Sequence, residues 1–547
     1  MNSNFQLLDY IILGIYVTVI IAVGLWVSRT KKGTDKTTED YFLAGKSLPW
    51  WAIGSSLIAA NISAEQFIGM SGSGFAVGLA IASYEWMAAI TLILVGKYFL
   101  PIFIKQGLYT IPEFIEQRFN TSLKTILAVF WICLFIFVNL TAVLFLGAKA
   151  LDTIIGVGNG DIVGWCIFSL ALFAAAYSLW GGLSAVAWTD VIQVVLLVVG
   201  GLITSYIALD KVTLDGGVLN GLTHVYNVAG DKFHMILSKD NPEFMNLPGI
   251  AVLIGGMWVA NIYYWGFNQY IIQRALAAKS LKEAQNGIIF AGFLKMILPL
   301  IVVVPGIIAY VLYSQPEGTA VIPGIQDAFA KVGGGINYDK SYPWLIDTFI
   351  PVGIKGLVVA ALAAAIVSSL ASMLNSTATI FTMDIYKPYF AKDNDDRKLV
   401  TIGRITVLVA LVIASLVAPM LGSVSQMFQY IQEYTGVVSP GILAVFIMGL
   451  FWKKTSTRGA IIGVLGSIPV ALLLKLLPIQ MPFMDQMFYT CLITIAIIMG
   501  VSLTTGDGDD NPKGIPLFKE TFETPRSFNI GAIIIIATTA FLYWFFW

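Results

Sequence analysis

Runs of about twenty mostly apolar residues recur along the whole chain, at positions 7–28, 49–74, 78–102, 122–152, 160–180, 184–209, 248–274, 284–313, 350–383, 399–420, 424–452, 459–478, 483–505 and 527–547. A bilayer core is crossed only by segments that pair every backbone group internally, which leaves helices and closed barrels. Barrel strands alternate polar and apolar residues, and most of these runs do not. The chain is 57% hydrophobic and 12% charged. That is about half the charge of a soluble protein, too little to coat a water-facing surface. The expected fold is an all-α integral membrane protein with about 14 transmembrane helices.

A formal net charge of zero gives no basic signal for nucleic acid. Cys133, Cys166 and Cys491 lie in separate apolar runs, so neither metal spacing nor a disulfide framework is expected. His224 and His234 share a polar loop and read as a solvated pair. The first run is too long for a signal-peptide core and lacks a small-residue cleavage site, so it reads as a retained helix.

Basic residues set an expected orientation. Arg29, Lys31, Lys32, Lys36 and Lys46 follow the first run, while no Lys or Arg precedes it. The positive-inside rule then puts the N-terminus outside. Alternation puts Lys105, Arg118, Arg274, Lys279, Lys282, Lys387, Lys392, Arg397, Lys398, Lys453, Lys454 and Arg458 inside. An even helix count puts the C-terminus outside, ending on "YWFFW", an interface belt of aromatics.

Ionisable groups in a span cost roughly 2.5–3.5 kcal/mol at mid-helix and usually face a cavity or a partner. Asn61, Ser63, Glu65 and Gln66 interrupt the second run, and Glu85 lies in the third. Asp190 opens the sixth, Asn261, Asn268 and Gln269 lie in the seventh, and Lys295 in the eighth. The ninth holds Ser368, Ser369, Asn375 and Ser376, and the eleventh Gln429, Gln432 and Glu433. Any single Asn or Ser here is more simply read as an interhelical hydrogen bond, and Asp190 equally well as a helix N-cap. Glu85 and Lys295 are lone opposite charges in their runs and are expected to pair or to share a ligand. Segments 59–66 and 259–266 read as discontinuous, five helices apart. Secondary transporters place such a pair at matching points of two inverted repeats, with the substrate between them at mid-membrane. Unwound carbonyls plus hydroxyls suit a hard cation such as sodium.

At these residues the chain resembles the sodium/solute symporter family, most nearly its bacterial sodium/galactose (sodium/glucose-type) branch. The resemblance rests on "EDYFLAGKSLPWWAIGSSLIAANISAEQFIGMSGSGF", "YSLWGGLSAVAWTDVIQ", "NIYYWGFNQYIIQRALA", "AALAAAIVSSLASMLNSTATIFTMDIY" and "FQYIQEYTGVVSPGILAVFIMGLFWKK". It implies a leucine-transporter-type five-plus-five inverted repeat. Its parts would be one extra N-terminal helix (7–28), repeat 1 (49–209), repeat 2 (248–452) and three C-terminal helices (459–547). It implies sugar contacts at Gln66, Glu85, Asn261, Lys295 and Gln432. It implies outer gates at Met70, Tyr84 and Phe428 and an inner gate at Tyr264. A co-transported sodium ion would sit at Ala59, Ile62, Ala365, Ser368 and Ser369, with Asp190 aiding ion exit and Asn61 coupling the broken helix to the sugar. Where the galactose branch has a serine near the sugar, this chain has Ala88.

The function implied is sodium-driven symport of a neutral galactose- or glucose-like monosaccharide by alternating access, in the cell's inner (plasma) membrane. The residue types agree: Glu85 accepts, Lys295 donates, and Gln66, Asn261 and Gln432 do both. Inositol, proline, sialic acid or pantothenate are alternative solutes, although an acid would more naturally meet an arginine and none lies in mid-span. A passive channel and a membrane enzyme are the competing classes; the sequence offers no nucleophile–base set for the second. The expected partners are sugar, sodium and lipid, with a homodimer allowed for and no nucleic acid.

Overall fold

A computed structural model of the protein describes residues 5–27, 37–156, 160–331, 334–391, 395–423, 426–477, 480–505 and 512–547. Arg29, Lys31, Lys32, Lys36 and Lys392, used above for orientation, lie outside the described residues. Among those described, eleven helices are long and apolar enough to cross a membrane. With the spanning elements numbered along the chain, these are α1 (Leu7–Val27), α3 (Leu79–Lys105), α4 (Thr121–Ile155), α6 (Gly182–Lys211), α8 (Leu281–Ser314), α9 (Ile354–Phe390), α10 (Asp396–Gly422), α11 (Met427–Phe451), α12 (Thr457–Leu476), α13 (Phe483–Thr505) and α14 (Arg526–Phe545). The three other expected spans each depart from a full-length helix. The fifth, α5 (Val163–Ala176), is shorter. The second, α2, is Trp50–Asn61 and Ser71–Ala76 separated by a break and a wide turn at Glu65–Met70. The seventh, α7, is Gly256–Ile262 and Gln269–Leu276 with a wide turn at Tyr263–Phe267.

Gly182 separates α5 from α6 with φ near 60° and ψ near −153°. That backbone strongly favours glycine, and a Cβ there would meet the Tyr41 carbonyl at 2.3 Å. The break in α2 falls at Ile62, which takes an extended conformation. Chemistry within the break holds it open. The Ser63 N–H and hydroxyl both donate to Gln66 Oε1 at 3.1 Å, and the Glu65 N–H donates to Ser63 Oγ at 3.0 Å. This is close to a capping box, serine followed three residues later by glutamine, restarting a helix inside the membrane. Because the Ser63 N–H turns to Gln66, the Ala59 carbonyl loses its helical donor. The break in α7 comes at Asn268, also extended, just past the expected 259–266.

Small residues let the site helices approach. A Cβ at Gly306 of α8 would sit 2.0 Å from the Ser71 carbonyl of α2. Close packing of this kind replaces hydrophobic driving force between helices in lipid. The first helix is tied to the ninth: Gly353 and Gly356 N–H groups donate to Asp9 Oδ1 at 2.7 and 2.8 Å, capping the start of α9. A buried apolar core extends through α2 to α9 and α11, whereas α1, α10 and α12 to α14 bury under two fifths of their most apolar stretch.

Candidate functional site

The two breaks converge on one cavity. Gln66, Glu85, Asn261, Lys295 and Gln432 all line it, as do Met70, Tyr84, Phe428 and Tyr264. The sequence therefore identified nine residues from five separate helices that share one wall. Asn61, Glu65, Trp265, Thr435 and Ser439 complete the polar and aromatic lining used below.

Lys295 is 1% exposed and Glu85 2%. The Lys295 ammonium donates to Glu85 Oε2 at 2.5 Å and to Asn61 Oδ1, and lies 5.0 Å from the Trp265 ring centre. The Asn61 amide donates onward to the Tyr264 phenol at 3.0 Å, which also accepts from Tyr270 at 2.8 Å. One chain of hydrogen bonds thus joins α3, α8 and both broken helices. Breaking a buried ion pair costs about 3–5 kcal/mol, so the pair fixes these elements as well as offering polar atoms. Gln66 has its carbonyl occupied by Ser63, so its amide is the end left to face a ligand.

Three buried polar atoms of the lining have no protein partner: Tyr84 Oη, Asn261 Nδ2 and Ser439 Oγ. Buried polar groups are nearly always satisfied, so this trio describes a surface complementary to a ligand with several hydroxyls. On one side the cavity is shut by buried Met70, Tyr84 and Phe428, with the last two rings edge to face at 4.9 Å. Gly69 permits this closure, because a Cβ there would sit 3.1 Å from Phe428. Tyr264 is half-buried in the cavity wall.

The expected ion ligands lie between α2 and α9. Ser369 Oγ donates to the Ala60 carbonyl at 2.9 Å and lies 3.4 Å from that of Ala59. Ala59, Ile62, Ala365, Ser368 and Ser369 are all buried. The Ser368 hydroxyl donates to Asp190 Oδ1 at 2.5 Å, and Ser56 donates to Asp190 Oδ2 at 2.5 Å. Asp190 is fully buried and lies eight residues beyond Gly182, so the N-cap reading is incorrect. It joins α2, α6 and α9. The oxygen-rich chemistry of this cluster fits a hard monovalent cation.

Two further residues take places that the sequence did not assign. Arg274, used from sequence only as an inner-side basic residue at the end of its run, is fully buried, with its guanidinium donating to Ser56 Oγ at 3.1 Å, to Ser372 and to the Tyr270 carbonyl. It lies in the last turn of the second half of α7, which runs on to Leu276. It does not line the cavity. Glu65, to which the sequence assigned no role beyond interrupting the second run, lines the cavity, and its Oε1 accepts from Gln432 at 3.3 Å. The sequence signals passed over were the serine–glutamine cap at Ser63 and Gln66, and the second carboxylate beside it. Ala88 is buried one turn beyond Glu85 on α3.

An all-helical membrane protein with two interrupted helices crossing at a polar cavity is a secondary transporter of small solutes. Comparison with known proteins agrees. A profile for the sodium:solute symporter family matches residues 41–466. The chain is 64% identical over 546 residues to a sodium/glucose cotransporter of Vibrio parahaemolyticus, covering 100% of this chain and 99% of that one. It is 33% identical to the mouse sodium/glucose cotransporter 1, over 84% of this chain and 70% of that protein. It is 32% identical to a pig sodium/myo-inositol cotransporter 2, over 87% and 70%. Among solved structures, a sodium-coupled sialic acid symporter shares the fold, with TM-score 0.78, 24% identity and coverage of 92% and 100%. The chain belongs to the sodium:solute symporter family. It is a multi-pass membrane transporter of the leucine-transporter fold that co-transports sodium, and not an enzyme.

Proposed function

We propose that this protein imports a neutral monosaccharide, galactose- or glucose-like, by sodium symport. The observation that carries the reading is the cavity wall itself: a paired Glu85 and Lys295, the amides of Gln66, Asn261 and Gln432, and unpartnered Tyr84, Asn261 and Ser439 atoms around one space. Such a wall offers donors and acceptors in several directions, as a ring of hydroxyls requires. Tyr264 and Trp265 supply flat faces for a pyranose. The sugar/sodium names of the similar proteins support the same substrate class.

In this reading sodium bridges the Ala59 and Ile62 carbonyls, the Ala365 carbonyl and the Ser368 and Ser369 hydroxyls, holding the break of α2 in the shape that presents Gln66. By binding one conformation better, the ion shifts the population toward it. Sugar then favours closure at Met70, Tyr84 and Phe428 on the outer side. Opening past Tyr264 releases both solutes inward, Asp190 drawing Ser368 away from the ion. One inward charge gains about 2.3 kcal/mol per 100 mV. The inverted repeats are 49–209 and 248–452, and both termini face outward in the inner membrane. A homodimer is checked by the size of the detergent-free particle. Inositol is the second reading, supported by the similar inositol cotransporter.

The test is uptake by proteoliposomes with a sugar panel including myo-inositol, with and without an inward sodium gradient. Saturable galactose or glucose uptake that collapses without sodium is expected. Sodium-independent uptake would sink the symport reading, and uptake of inositol alone would replace the sugar.

A further inference from the structure

Glu65 gives the cavity a second carboxylate that its single lysine does not balance. Glu85 is paired with Lys295 at 2.5 Å. Among the described residues no lysine or arginine lies within ion-pair distance of Glu65, whose side-chain partner is the neutral Gln432 amide at 3.3 Å. The charged groups facing it are Glu85 on α3 and Lys295 on α8, and the phenols near it are Tyr84 on α3 and Tyr264 and Tyr270 on α7. The cavity therefore holds two carboxyl groups against one ammonium, and a bound cation beside Glu65 would favour its ionised form. A carboxylate held out of water is best matched by a cation that hydrogen-bonds to it. The unpartnered Tyr84, Asn261 and Ser439 atoms beside it ask for hydroxyls. A ligand that answers both demands is a sugar carrying a protonated amine.

We infer that Glu65 is a specificity-determining residue that lets this sodium symporter carry amino sugars, the ligand ammonium seating on Glu65 while its hydroxyls meet the neutral wall. The inference rests on the sugar reading above and extends it to a cationic substrate. The geometry also gives Glu65 a reason to lie on the restarted half of α2. Ion binding at the break positions that half, so sodium would set the carboxylate and Gln66 together.

The experiment uses the full chain in proteoliposomes with radiolabelled galactosamine, and separately galactosamine as a competitor of galactose uptake. Amines of this kind are charged at about pH 6.5 and largely neutral at about pH 8.5. Wild type should take up galactosamine with sodium at the lower pH. Galactosamine should compete about four- to sevenfold better there than at the higher pH, relative to unlabelled galactose, the ratio of its charged fractions at the two pH values for an amine that titrates at about 7.7–8.0. Glu65→Gln keeps the shape and removes the charge, and should abolish that pH difference. N-acetylgalactosamine, which cannot protonate, should show no such difference in either protein. Sodium-driven galactose uptake with no galactosamine uptake in wild type overturns this inference and leaves the sugar reading standing. A pH difference of equal size in Glu65→Gln also overturns it. Failure of wild type to carry any sugar with sodium overturns both. The wild-type uptake arm decides the matter even if the variant fails to fold.

Discussion

The Asn61 amide donates to the Tyr264 phenol at 3.0 Å, joining the break of α2 to the wide turn of α7 by one side-chain hydrogen bond. The two elements are 203 residues apart in the chain. This bond is the direct physical link between the half-helix that presents Gln66 and the aromatic residue at the opposite wall. Tyr264→Phe keeps the ring and removes the link. A net hydrogen bond is worth about 0.5–1.5 kcal/mol, so sugar KM should rise about 2- to 10-fold with the fold unchanged. Uptake kinetics beside a thermal melt check this; an unchanged KM removes the link from the substrate site.

Lys295→Ala strands Glu85 in a dry setting. Loss of about 3–5 kcal/mol is expected, read as a lower Tm and poorer yield. Lys295→Met with Glu85→Gln removes both charges and should recover much of the stability but not sugar uptake. Recovery of uptake by the double variant would show that the pair is structural alone.

Ser369→Ala deletes the hydroxyl that reaches the Ala59 and Ala60 carbonyls at the break. The sodium concentration for half-maximal uptake should rise several-fold, with a smaller effect on sugar KM at saturating sodium. Sodium activation curves decide it, and a superimposable curve excludes Ser369 from the ion site.

Asp339 lies in the loop between α8 and α9, half-buried against the restarted half of α2. Its Oδ2 accepts from the Met427 N–H at the start of α11 at 3.3 Å, while Oδ1 faces Gly72 without a partner. Burial pushes its carboxyl up to about 7, against the opposing pull of the Met427 hydrogen bond and of Lys149 and Lys331. A carboxyl raised in the packed state binds its proton more tightly there than in water. Loop packing is therefore favoured at low pH and loses that contribution as pH rises from about 4 through about 7. Amide exchange at residues 338–342 should speed over that window, and Asp339→Asn should flatten the dependence. An unchanged profile in the variant would assign the pH effect elsewhere.

Ala88→Ser restores the hydroxyl that the galactose branch places one turn from Glu85. Galactose affinity should rise by a hydrogen bond's worth, about 2- to 10-fold, read from competition across a sugar panel. Equal affinities for every sugar would show that the position does not reach the ligand.

The sequence by itself determined the class of fold and picked out most of the polar residues that line the cavity. Length and hydropathy of the runs fix a helical membrane protein, because lipid tolerates no unpaired backbone. Glu85 and Lys295 were legible because charge in an apolar run is costly and demands a partner. The interruption at Asn61 to Gln66 was legible for the same reason. Tertiary structure decided what each polar residue faces. Asp190 looked as much like a cap as a buried junction until Ser56 and Ser368 closed on it from α2 and α9. Arg274 looked like an inner-side charge at the end of its run until those helices packed around it. Glu65 could brace its own turn or line the cavity, and the side chain's direction depends on how far the helix is unwound at Ile62 and where α11 brings Gln432. Hydropathy reports only whether a residue dislikes lipid. Which neighbour relieves that cost is set by helices hundreds of residues away in the chain, and that is a property of packing alone.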